Sequence, residues 1–134
     1  MPMESQEMGG SAGRVLVVDD EPAVLEVVIE AARAFGYEAD GASTARDALA
    51  RLAADDEYDV VLVDVRLPDM DGTTLSRHIA GRHPGLARRI LFSTGDETIS
   101  DRLGPGGGHG IPCLVKPFSL EDLASALDGV RAAA

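Results

Sequence analysis

Residues 60–72, VVLVDVRLPDMDG, carry the reading that decides the fold. Four apolar residues, three of them Val, run without alternation into Asp64. A strand with that pattern is buried on both faces, as strands of parallel sheets are. Leu67-Pro68 and Asp71-Gly72 then mark a loop. Leu75 and Ile79 follow at helical spacing, and the helix stops near Gly81 and Pro84.

The same unit recurs on either side. Upstream, VLVV at 15–18 runs into Asp19-Asp20, and Pro22 suits the first position of a helix. Val24, Val27, Val28, Ala31 and Phe35 mark one helical face, closed by Gly36. Residues 37–42 form a weaker strand. Thr44 with Asp47 resembles a capping box before a short helix with Ala45, Ala48, Leu49 and Leu52 on one face. Asp55-Asp56-Glu57 reads as a solvated acidic turn.

Downstream, a fourth strand at 90–93 ends in Thr94-Gly95-Asp96. A turn or two of helix fits 98–103, but GPGGGHG at 104–110 cannot continue it. The 97–110 segment is therefore expected to be the least ordered part of the chain. A fifth strand at 111–115 runs into Lys116-Pro117-Phe118. Ser119 with Asp122 caps a last helix whose inner face is Leu120, Leu123, Leu127 and Val130. Strands alternating with helices predict an α/β domain with a parallel sheet covered on both faces. Residues 1–13 are Gly-rich and aperiodic, the pattern of a flexible tail, leaving one domain at 14–133.

Bulk properties narrow the classes of function. The chain has 134 residues, enough for one unstapled core. Its lone Cys113 cannot form an internal disulfide, and no apolar run approaches the ~18 residues that span a bilayer. A cytoplasmic domain without membrane attachment is expected. The net charge of −11 repels phosphate backbones, which argues against direct nucleic-acid binding. Eleven of the twelve basic residues are Arg; the single Lys is Lys116. A compact ammonium differs chemically from a guanidinium fork, so the exception is informative.

In open parallel sheets, ligands bind outside the carboxyl ends of the strands. The polar residues fall there: Asp19 and Asp20 after strand one, Asp64 after strand three, Thr94 after strand four, Lys116 after strand five. Three carboxylates brought together repel one another unless a cation joins them, and their oxygens suit Mg2+, which keeps waters and room for a phosphate oxygen. His78, His83 and His109 share no metal-ligand spacing and are expected at the surface. Cys113 reads as a small core hydrophobe and Met70 as a packing residue.

VLVVDDEP (15–22), VVLVDVRLPDMDG (60–72), LFSTG (91–95) and LVKPF (114–118) together resemble the receiver domain of two-component response regulators. Order and spacing agree over residues 14–131. The resemblance implies a doubly wound, flavodoxin-like (βα)5 fold with strand order 2-1-3-4-5. It implies that Asp64 is the phosphoacceptor, charged by a histidine kinase or histidine phosphotransfer domain. Asp19, Asp20 and Asp64, with the backbone carbonyl of Arg66, would hold Mg2+. Lys116 would neutralise the phosphoryl oxygens, Thr94 would hydrogen-bond the attached group, and Gly95 would leave the approach open. The Lys116–Pro117 bond would be cis. Arg66 and Asp96, two residues beyond Asp64 and Thr94, are expected to face each other across the mouth of the site and modulate how long the phosphoryl group lasts.

Two positions depart from the family pattern. Cys113 stands three before the Lys, where an aromatic residue is common, and glycines replace much of the helix between the fourth and fifth strands. The TGD stretch and the Arg after VDV look like receivers of hybrid kinases. An Asp-nucleophile phosphatase is the alternative, but such enzymes place a D-x-D motif after the first strand and carry a cap domain. A pseudo-receiver that only binds partners typically loses an acid or the Lys, and this chain has them all.

Overall fold

The computed structural model describes residues 13–96 and 111–134. The expectations for 1–12 and for 97–110 lie outside these residues. The described elements are β1 (Gly13–Val18), α1 (Pro22–Ala34), β2 (Tyr37–Ala42), α2 (Ala45–Ala54), β3 (Val60–Asp64), α3 (Gly72–Arg82), a 3-10 turn (Pro84–Leu86), β4 (Ile90–Thr94), β5 (Cys113–Val115) and α4 (Leu120–Ala133). Gly13, expected in the tail, is the first residue of β1.

All neighbouring strands pair in parallel, in the order β2-β1-β3-β4-β5. This is the 2-1-3-4-5 order. The central strands lie between two helical layers, which explains their unbroken apolar runs. Val15, Val17, Val60, Leu62 and Leu91 pack with Val28, Ala31 and Ala32 of α1 and Leu123, Leu127 and Val130 of α4. Leu16, Val18, Val61, Val63 and Phe92 point the other way, onto Ala45, Ala48 and Leu52 of α2 and Leu75 and Ile79 of α3. Alternate residues of one strand thus serve opposite layers.

The helix ends follow local chemistry. Gly36, beyond the end of α1, has φ 94°, where a Cβ would be strained. Ser119 and Asp122 form a complete capping box on α4, whereas Thr44 on α2 makes only its own half, accepting the Asp47 N–H.

Several expected positions differ. Val27 is 61% exposed and Phe35 38%, because the buried stripe of α1 is centred on Val28, Ala31 and Ala32 and Phe35 is the residue that caps the helix. Leu120 is 57% exposed; it opens α4, and burial begins a turn later at Leu123. The fifth strand is shorter than 111–115, since Pro112 has no N–H to give, although its carbonyl accepts from Phe92 at 2.9 Å. The acidic turn is exposed but partnered: Arg14 Nη1 bonds Asp55 at 3.0 Å, and His83 Nδ1 lies 2.8 Å from Asp56. His83 is consequently half-buried at the end of α3 and not a free surface residue.

Among the described residues, no helix is long and apolar enough to cross a membrane.

Candidate functional site

Strand register assembles the site. Val18 pairs with Val63, Asp64 with Ser93, and Thr94 with Val115. The next residues after β1 and β5, Asp19 and Lys116, therefore meet Asp64 and Thr94 at one edge of the sheet. Backbone bonds extend the ladders past the side chains: Asp19 N–H donates to Ala42 O, Val65 N–H to Ser93 O and Lys116 N–H to Thr94 O.

Asp19, Asp64 and Thr94 are buried, while Asp20 is exposed. Lys116 Nζ donates to Asp19 Oδ2 at 2.8 Å and to Asp64 Oδ2 at 3.0 Å. The second oxygen of each acid accepts a backbone N–H two residues on. Glu21 N–H donates to Asp19 Oδ1 and Arg66 N–H to Asp64 Oδ1, both at 3.0 Å. Thr94 Oγ1 likewise accepts from Asp96 N–H at 3.1 Å. These Asx- and ST-turns fix the side-chain rotamers at the mouth of the sheet. The Lys116–Pro117 peptide is cis, as the resemblance implies.

Burial pushes the Asp64 carboxyl above the usual carboxylate range, outweighing the Arg66 N–H and Lys116, which favour its anion. Burial alone would lower Lys116, but its bonds to Asp19 and Asp64 prevail and hold it above its ordinary value. A buried anion that is costly to ionise and carries an adjacent ammonium is suited to gaining further cationic charge or to being covalently capped.

Asp19, Asp20 and Asp64 each offer an oxygen, and these atoms lie within 4.8 Å of one another. Three carboxylate oxygens on one open edge, one of the acids exposed, fit a hard divalent ion that keeps part of its water shell. Among the described residues, nothing lies within 4 Å of where a Cβ at Gly95 would sit. Arg66 Nη2 lies 3.9 Å from Asp96 Oδ2, at the outer limit of an ion pair, with Arg66 77% exposed.

Three features escaped the sequence. A Cβ on Gly72 would collide with the carbonyl oxygen of Asp64 and come within 2.8 Å of Val65 Cα, so α3 can begin this close to β3 only with glycine. Gly72 follows the N-cap Asp71, which gave a local hint. Asp69 bonds the first turn of α2, a contact 23 to 24 residues away in the chain that leaves no local signature. An apolar groove of about 530 Å³, lined by Ala23, Val24, Val27, Val28, Pro117 and Phe118, adjoins Lys116.

The family described as the response regulator receiver domain matches residues 15–128. The chain is 37% identical over 116 residues to a probable transcriptional regulatory protein, TcrX of Mycobacterium tuberculosis, covering 85% of this chain and 47% of that protein. It is 32% identical over 123 residues to the sensor kinase CckA of Brucella abortus, covering 91% of this chain and 13% of the kinase. The chain spans about half the length of the curated transcriptional regulators it matches. Among solved structures, the chemotaxis response regulator CheY4 of Vibrio cholerae aligns with a TM-score of 0.75 at 31% identity, over 87% of this chain and 97% of that one. The response regulator TrrA of Thermotoga maritima, solved in complex with Mg(2+)-BeF, aligns with a TM-score of 0.74 at 26% identity over the same shares.

Proposed function

The chain belongs to the response regulator receiver domain family of two-component signalling, and from that premise we propose that it is a phosphoacceptor domain charged on Asp64 in a Mg2+-dependent reaction. The observation that carries this reading is Lys116 Nζ bridging the buried carboxylates of Asp19 and Asp64 within 3.0 Å.

In the proposed reaction an Asp64 oxygen attacks the phosphorus of a phosphohistidine; the P–N bond breaks as the acyl–phosphate P–O bond forms, and the imidazole leaves. Asp19, Asp20 and Asp64, with the Arg66 carbonyl, would hold Mg2+, which supplies positive charge to the phosphoryl oxygens. Lys116 exchanges its carboxylate bonds for the incoming phosphoryl oxygens and adds fixed positive charge where negative charge develops. Thr94 Oγ1, now accepting from Asp96 N–H, has its own hydroxyl hydrogen to donate to the attached group. The new charge and acceptors then bias a two-state surface.

The donor is a histidine kinase or histidine phosphotransfer domain, and the apolar groove beside Lys116 gives such a protein a surface next to the acceptor. A cytoplasmic location and the absence of direct nucleic-acid contact belong to the same reading, the latter resting on the net charge of −11. The Asp-nucleophile phosphatase alternative calls for a D-x-D motif after the first strand, whereas the acids there, Asp19 and Asp20, are adjacent. Incubation with acetyl phosphate tests the proposal. One phosphoryl group per chain is expected with Mg2+, and no Mg2+-dependent labelling would refute it.

Arg66 and Asp96 are assigned the role of a gate. Paired across the mouth, they obstruct a water lining up behind the phosphorus. An exposed pair is worth ~0–1 kcal/mol, so the expected effect is about fivefold at most. Arg66→Ala and Asp96→Ala should each speed autodephosphorylation by up to that factor, with a non-additive double mutant. Equal phosphoryl half-lives in all three variants would remove the gate.

A further inference from the structure

The loop between β3 and α3 is closed on itself at its base. Arg66 and Asp71 form an antiparallel bridge, and Gly72 N–H donates to Val65 O at 2.8 Å. The start of α3 packs so closely on the Asp64 peptide that only glycine fits at 72. The same base presents Arg66 N–H to Asp64 Oδ1. The position of this short loop is thus tied to the position of the acceptor carboxylate.

The tip of the loop is fastened elsewhere. Asp69 Oδ1 accepts the N–H of Ala45 at 3.0 Å, and Oδ2 accepts that of Arg46 at 2.9 Å. Thr44, the helix's own cap, takes the Asp47 N–H at 3.0 Å. Two of the three free donors in the first turn of α2 are therefore served by a carboxylate from the phosphoacceptor loop. An anion there also faces the positive end of the helix. Backbone donation from Ala45 and Arg46 holds the Asp69 carboxyl below its ordinary range, so the contact is charged at neutral pH.

We infer that Asp69 is a positioning residue, which anchors the β3–α3 loop to the N-terminus of α2 and thereby holds the Arg66 backbone against Asp64. A carboxylate that only stabilised α2 would act no differently from Thr44. One that fixes the loop acts on Arg66 as well, and through the Arg66 carbonyl on the metal; this consequence rests on the metal site proposed above. Partners behind the direct ligands commonly change metal affinity 10–100-fold.

The experiment compares Asp69→Ala, Asp69→Asn and Thr44→Ala by two readouts on the unphosphorylated protein. One is amide hydrogen exchange at Arg66 without metal; the other is Mg2+ affinity by titration. Asp69→Ala should speed exchange at Arg66 and weaken Mg2+ binding by on the order of tenfold. Asp69→Asn, which keeps one acceptor oxygen, should recover part of both. Thr44→Ala should lower the melting temperature as much as Asp69→Ala while leaving both readouts near wild type. Equal effects of Thr44→Ala and Asp69→Ala on Arg66 exchange and Mg2+ affinity, or no change at Arg66 in Asp69→Ala, would reduce Asp69 to a helix cap. Should the wild type bind no Mg2+, the metal reading falls, and exchange at Arg66 alone decides the anchoring.

Discussion

Asp64→Asn is expected to abolish phosphorylation by acetyl phosphate while leaving the fold intact. An amide oxygen has the shape of the carboxylate but is not a competent nucleophile towards phosphorus. The carbonyl of Asn can still accept the Arg66 N–H that Asp64 Oδ1 now receives. Burial raises the Asp64 pKa, so folding disfavours its ionised form at neutral pH. A neutral residue of equal size removes that cost. The relief is offset by the Lys116 Nζ bond that an amide nitrogen cannot accept, so the melting temperature of the variant should stay close to that of the wild type, and intact mass should show no added phosphoryl group. Undiminished labelling of Asp64→Asn would remove the acceptor assignment.

Loss of the metal is expected to have the second-largest effect. Asp20 is exposed and belongs to neither helical layer, so Asp20→Asn should not disturb the core. It removes one of three carboxylates from a site whose oxygens lie within 4.8 Å of each other. Transfer should slow by about 10²-fold or more, the scale of losing a main electrostatic contribution to a charged transition state, and EDTA should do the same to the wild type. Thermal melting provides a separate readout. A ligand at 100 times its Kd stabilises a folded protein by about 2.7 kcal/mol, so Mg2+ should raise the melting temperature of the wild type and not that of Asp20→Asn. A chelator-insensitive rate would refute the metal's role.

The sheet and the polar edge were legible because both rest on local pattern. VLVV and VVLV have no alternation because each alternate residue meets a different helical layer. The parallel register of the strands then carried Asp19, Asp64, Thr94 and Lys116 to one edge. Spacing also placed Arg66 and Asp96 within 3.9 Å of each other. Helix faces were less legible at their margins. Val27 and Leu120 have the right residue type and spacing, but periodicity locates a stripe only to within about one residue and does not show where the neighbouring layer ends. Contacts between distant loops left no trace at all. Nothing near Asp69 says that its carboxylate reaches α2, and nothing near Asp56 announces His83. Such partners are selected by the fold, after the sheet has brought loops of different units together.

The most direct test of the central claim is the chemical identity of the phosphorylated residue. After incubation with acetyl phosphate and Mg2+, borohydride reduction of the acyl phosphate followed by peptide mass spectrometry should find one reduced aspartate per chain, at position 64. Reduction at Asp19 or Asp20, or a phosphoryl group stable to borohydride on a histidine or hydroxyl residue, would contradict it.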